Sequence, residues 1–232
     1  MCIRDSKNTK AFSSDKKKEF SPKYGASLLY EHHTTSLVFN DPPAHTRVRR
    51  LIMGALSPRA IAGMEPDLIR LVDRLLDAIA ANNKVDLIDD FAAAIPIEVI
   101  GNLLDVPEDE REPLRDWSLA ILGALEPVIG PDAFARGNKA VKDFLSYLEG
   151  LVARRRAKPG NPDRDVLTRL IQGEDNGERL TEKELLHNCI ILLNAGHETT
   201  TNLIGNGLVT LCLLYTSPSP RDRTRSRMPS SA

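Results

Sequence analysis

The run TEKELLHNCIILLNAGHETTTNLIGNGLVTL, Thr181 to Leu211, constrains the fold more than any other stretch of the chain. It has no proline, and apolar residues recur through it at helical spacing. It opens with Thr181 and Glu184 three residues apart, the reciprocal cap in which each side chain takes the other's backbone N–H. The pattern predicts one helix of about 31 residues, ~46 Å long at 1.5 Å per residue. That exceeds the diameter of a small domain, so the helix needs a larger body around it. The expectation is a parent protein that continues beyond Leu211.

The middle of this run is costly for a helix. In NAGHETTTN, Asn194 to Asn202, glycine gives up about 1 kcal/mol of helix propensity against alanine. The threonines crowd the preceding turn, and an unpaired buried Glu198 would incur a large desolvation penalty. At i, i+3, i+4 and i+7 spacing, Leu192, Ala195, Gly196, Thr199 and Leu203 share a face with small residues at its centre. A flat rigid ligand could lie against such a bay, with the Thr199 hydroxyl pointing into it. Glu198, about 100° round the axis, could pass protons from the flank. Spacing alone favours a plainer alternative, a close helix crossing through Ala195 and Gly196 with the threonines bonded back to carbonyls one turn earlier. A zinc-protease reading fails, because Thr201 stands where a second histidine ligand is required after His197 and Glu198.

The ends of the chain need separate treatment before composition is used. MCIRDS back-translates to ATG TGT ATA AGA GAC AG, and CLLYTS to TGT CTC TTA TAC ACA TCT; through most of their length these strings are reverse complements. They match a transposon-end sequencing adaptor read on each strand, and PSPRD and RMPSSA fit the adaptor and primer sequence that follows. The expected organisation is therefore adaptor-derived residues 1–6, a partial domain over 7–211, and an adaptor-derived, disordered tail over 212–232. Setting the ends aside removes Arg4, Arg221, Arg223, Arg225 and Arg227 with Asp5 and Asp222, leaving 26 basic against 30 acidic residues, a net charge of −4. No case for nucleic-acid binding survives. Cys189 is then the lone cysteine, which excludes a disulfide framework and a zinc-type cysteine cluster and suggests a reducing, cytoplasmic setting. No apolar stretch reaches the ~18 residues of a membrane span.

The remainder reads as mainly α, with no alternating run of strand length. Residues 7–23 are lysine-rich and without clear period. Asp41 and two prolines introduce a helix from about Ala44. Leu68, Leu71, Val72, Leu75, Leu76 and Ile79 mark the clearest amphipathic helix, ended by Asn82 and Asn83. Pro96 and Gly101 are expected to break DLIDDFAAAIPIEVIGNLLDVP into short pieces. Amphipathic segments follow in EREPLRDWSLAILGAL and in DAFARGNKAVKDFLSYLEGLVARRRAKPG, then a short helix in DVLTRLIQ. A metal site at His32 and His33 is set aside, since adjacent histidines rarely converge on one ion without further ligands.

AGHETT in a long helix introduced by RLTEKELL resembles the central helix motif of bacterial cytochrome P-450 monooxygenases. DPPAHTRVRRLIMGALSPRAI is similar to that family's haem-flanking helix, and IPIEVIGNLLDVPEDE resembles the segment between them. The three blocks stand in the family's order over most of Leu37 to Leu211. The resemblance implies the N-terminal portion of the cytochrome P-450 fold, truncated, with haem as cofactor. It implies an acid–alcohol pair, Glu198 and Thr199, that delivers protons for O–O cleavage before attack on a substrate C–H bond. Ala195 and Gly196 would flank the oxygen pocket, and His45 and Arg49, one helical turn apart, would clamp the haem propionates. Arg47 and Arg50 share another face, expected to turn to solvent and steer an acidic ferredoxin- or flavodoxin-type redox partner. The family's haem-ligating cysteine loop belongs after the long helix, where adaptor-like sequence stands. Cys189 is no substitute for it, so this chain is expected to be inactive by itself. The alternative is a non-catalytic helical binding or scaffold domain.

Overall fold

A computed structural model describes residues 8, 11–56, 58–82, 84–162, 165–173 and 177–215. Ten helices account for most of them: α1 (Lys17–Tyr24), α2 (Leu28–Thr35), α3 (Ala44–Ala55), α4 (Pro58–Ala62), α5 (Glu65–Ala80), α6 (Ala94–Leu103), α7 (Glu112–Gly123), α8 (Pro131–Ala157), α9 (Val166–Gln172) and α10 (Glu182–Tyr215). A six-residue wide turn of helix, Leu87–Ala92, links α5 to α6. No strand occurs among the described residues, and none of their helices is long and apolar enough to cross a membrane.

The core lies where α10 and α8 meet α6, α7 and α2. Phe144, Leu148 and Val152 of α8, Leu114 and Ile121 of α7, Leu29 of α2, and Cys189, Ile190 and Leu193 of α10 are all fully buried. Gly137 permits a close approach within it: a Cβ there would meet Ala124 Cβ at 2.9 Å and Leu29 Cδ1 at 3.0 Å. Real Cβ atoms hardly ever come so near, so α8, α2 and the end of α7 could not close as tightly over any larger residue.

Local sequence accounts for most helix ends. Asp165 caps α9 by accepting from the Thr168 N–H at 3.0 Å, and Ser27 caps α2 by accepting from Tyr30 N–H at 3.2 Å. The predicted box on α10 is present in both directions, Thr181 N–H to Glu184 Oε2 at 2.9 Å and Glu184 N–H to Thr181 Oγ at 3.2 Å. α10 runs 34 residues and continues four residues past Leu211. Of the ends expected to be adaptor-derived, 1–6 and 212–232, residues 1–6 and 216–232 lie outside the described residues, while 212–215, expected to be disordered, are the last residues of α10.

Pro96 does not break its segment. It sits in the first turn of α6, where a missing N–H leaves no bond unmade. Gly101 stays helical because its missing Cβ leaves room for the Arg111 side chain. That guanidinium is buried and donates to Val106 O at 2.9 and 2.7 Å, Glu98 Oε2 at 2.6 Å and Asn102 Oδ1 at 2.8 Å, tying α7 to the end of α6.

Candidate functional site

The first half of α10 is fixed on all sides. Leu185, Leu186, Cys189, Ile190 and Leu193 enter the core, and Asn188 accepts from Leu37 N–H at 3.0 Å. Beyond Asn194 one side of the helix opens. Ala195 and Thr199 are exposed, as is Leu203, while Leu192 is half-buried at the stripe's near end. The opposite row, Asn194, His197 and Thr201, is buried. Glu198 lies between the two at 100° per residue and is half-buried.

The structure parts Ala195 from Gly196. Ala195 faces the open side, whereas Gly196 turns toward α6, where a Cβ would collide with Ile100 Cδ1. Gly205 does the same against the wide turn, its Cβ position lying 2.6 Å from Ile88 Cδ1. The small residues thus serve two ends at once: close helix contact at the glycines and an uncovered stripe at Ala195. The Thr199 hydroxyl donates to Ala195 O at 2.7 Å, and that of Thr201 to His197 O at 2.9 Å. Such back-bonds satisfy the hydroxyl hydrogen and leave the oxygen's lone pairs available to accept.

His45 and Arg49 lie one turn apart on α3, the first half-buried and the second exposed, at the edge of the buried row of Val48 and Ile52. α3 meets α10 at its first turn, through an ion pair between Arg47 and Glu184, so the two sets of candidate residues stand on separate elements. Of the two arginines expected to turn to solvent, Arg50 is exposed and binds Glu178 Oε2 at 2.9 Å, whereas Arg47 is half-buried and also donates to Arg179 O at 3.2 Å. Burial works against ionisation of Glu184, but the Thr181 N–H and the Arg47 guanidinium outweigh it and hold the carboxyl below its ordinary range. Arginines already paired within the chain make weak steering charges for a partner.

Cys189 is wholly buried, and burial pushes its thiol up to about 12, so it remains protonated and inert. No group of three or more metal-binding side chains occurs among the described residues. His32 and His33 are nevertheless both buried. His32 Nδ1 lies 3.3 Å from His187 Nδ1 across the α2–α10 contact, and His33 packs on the rings of Phe20, Tyr24 and Phe39. Sequence spacing could not reveal this cluster, because His187 lies 155 residues from His32. The buried row of Asn194 and His197 was likewise invisible, since histidine and asparagine give no apolar signal.

The family profile described as Cytochrome P450 matches residues 119–226. Cytochrome P450 107B1 of Saccharopolyspora erythraea is 37% identical over 198 residues, which are 85% of this chain and 44% of that protein. The biotin biosynthesis cytochrome P450 of Bacillus subtilis is 35% identical over 178 residues, 77% of this chain and 44% of its own length. Among solved structures, P450BioI in complex with a hexadec-9Z-enoic acid ligated acyl carrier protein superposes with a TM-score of 0.78 at 33% identity, covering 86% of this chain and 50% of that one. The polyketide synthase P450 PksS of Bacillus subtilis gives a TM-score of 0.75 at 28% identity, over 90% of this chain and 50% of that one. The chain spans about half the length of the relatives it matches.

Proposed function

Because the chain belongs to the cytochrome P450 family, we propose that it forms the oxygen-side half of a haem-dependent monooxygenase that hydroxylates a small organic substrate. The carrying observation is the open stripe of α10, on which Ala195 and Thr199 stand side by side with Glu198 at its edge. A flat apolar group fits this stripe, where the Ala195 side chain ends at Cβ and Leu203 offers uncovered apolar surface. His45 and Arg49 would meet the propionates. When bound, haem supplies an iron centre that activates O2 with electrons from a ferredoxin- or flavodoxin-type donor in the cytoplasm.

Around that group the chain's own residues do three things. Ala195 leaves space above the stripe, and Gly196 locks α10 to α6 so that the stripe keeps its place. Glu198 carries protons toward the stripe. Thr199, its hydrogen engaged with Ala195 O, accepts a hydrogen bond at the stripe's centre and orients the last proton donor. Neither described cysteine is placed to supply a thiolate ligand to haem: Cys189 is enclosed, and Cys212 lies along α10 itself. The chain by itself therefore gives no red-shifted, thiolate-type Soret band when reconstituted with haemin, reduced and treated with CO.

The test of the acid–alcohol reading uses a chimera completed with the C-terminal half of the Saccharopolyspora relative. Thr199→Ala should keep haem content and divert reducing equivalents to peroxide or water. Unchanged coupling between NAD(P)H consumption and product would count against Thr199. The same result would favour the second reading, a non-catalytic helical scaffold, which the Thr199 and Thr201 back-bonds support.

A further inference from the structure

Beyond His197, α10 packs on the rest of the chain by one side. Thr201 and Gly205 are buried there, and the Cβ position of Gly205 lies 2.6 Å from Ile88 Cδ1 of the wide turn. At helical spacing Leu203, Gly207, Thr210 and Leu214 fall on the opposite side, in a seam flanked by Leu211 on one edge and by Asn206 and Leu213 on the other. Leu203, Leu211, Leu213 and Leu214 are 63–73% exposed, and nothing lies within 4 Å of the missing Gly207 Cβ. From Thr199 to Tyr215 there is no charged residue.

Monomeric proteins rarely expose a contiguous apolar patch of more than a few hundred Å², and a larger one marks an interaction surface. The leucines of this face together expose on the order of 500 Å² per chain, so two copies meeting face to face would bury roughly 1,000 Å², where specific interfaces begin.

We infer that this face docks a second copy of the chain, the two α10 helices pairing antiparallel through Leu203, Gly207, Thr210 and Leu214. Charge decides for a copy over a foreign protein. Unlike partners are selected by complementary charge, which a neutral face cannot offer. Two identical neutral faces meet without repulsion, and a two-fold axis makes them self-complementary. Direction follows from burial. The first half of α10 is enclosed by the core, so only the second half of each helix is free to pair. An antiparallel pair overlaps the free halves, sends the enclosed halves in opposite directions and opposes the helix dipoles. Leu203 of one copy then meets Leu214 of the other, with Gly207 of each near the centre, where its missing side chain lets the backbones approach. Haem takes no part, so the pairing stands or falls apart from the monooxygenase reading.

Sedimentation velocity on the 232-residue chain tests the pairing. An interface at this lower bound of area is weak, so the chain should be a monomer with the face open at about 1 µM and a dimer at about 100 µM. A monomer throughout that range overturns the proposal, and hydrogen exchange then identifies the other occupant. Protected amides beyond Leu203 would mean that the chain's own residues cover the face, and freely exchanging ones that it is left for a different protein. Assemblies that keep growing past the dimer also overturn it, because two-fold pairing closes. Thr210→Glu and Leu214→Glu each place a charge in the seam and should raise the dissociation constant at least tenfold. Val209→Glu, which lies outside the seam, should leave it within about twofold. A dimer that resists both seam variants is held by another surface, and the assignment to α10 is then wrong.

Discussion

The two halves of α10 share one backbone and much the same apolar content but not the same surroundings. From Glu182 to Leu193 the helix is capped, paired to α3 through Glu184 and sunk into the core. From Leu203 onward Leu203, Val209, Leu211, Leu213 and Leu214 are between 58% and 73% exposed. A helix in water gains most of its stability from burying an apolar face rather than from propensity. The first half therefore anchors the second, and the open stripe bearing Thr199 lies at the changeover.

The largest test of this contrast is truncation on either side of it. Leu193→Ala should destabilise the chain by about 2–5 kcal/mol, the usual range for a leucine removed from a packed core. Leu211→Ala should change stability by less than about 0.5 kcal/mol, as at exposed positions generally. Chemical denaturation of the two variants measures both. Comparable losses would show that the second half is covered and that the contrast is wrong.

Acid provides the next test, because the first half of α10 alone carries the histidine contact. Burial holds His32 well below its ordinary value and His33 at about 4, with neighbouring positive charges adding to the effect; burial also lowers His187, against the pull of Glu31. The folded state therefore binds fewer protons than the unfolded chain, whose histidines titrate near 6.5. The histidine contribution is intact above pH 6.5 and is lost as pH falls toward 4, at about 1.4 kcal/mol per pH unit for each group. His33→Phe, which keeps a ring among Phe20, Tyr24 and Phe39, should flatten that slope. Hydrogen exchange should show acid loosening α2 and the first half of α10, while amides beyond Leu203 exchange readily at any pH in the range.

These contrasts also explain what could be read from residues alone. α3 begins at Ala44 and α10 at its cap because proline and threonine act on their immediate neighbours, and such signals survive in sequence. α1 and α2 gave no sign, since their apolar residues are few; α2 is buried by α8 and α10, far along the chain, and Tyr24 of α1 reaches Ala124 O a hundred residues away. The ion pairs of Arg47 and Arg50 are hidden for the same reason: their partners Glu184 and Glu178 lie 137 and 128 residues away. Within AGHETT, spacing put Ala195 and Gly196 on one face. Only the position of Ile100 showed that one opens outward and the other packs.

The glycines of α10 give the smallest and most local test. Gly207 has nothing within 4 Å of its missing Cβ, so Gly207→Ala should gain up to about 1 kcal/mol of helix propensity without any contact to disturb. At Gly196 the same gain is opposed by the collision with Ile100 Cδ1, the end of a side chain that can turn aside only by disturbing the α6–α10 packing. Gly196→Ala should therefore be neutral or destabilising in thermal melts, and Ile100→Val, which removes the colliding methyl, should restore part of the gain when combined with it. A double-mutant cycle isolates that coupling. If both glycine variants stabilise equally, Gly196 is not what holds α6 against α10, and the stripe at Ala195 and Thr199 owes its position to something else.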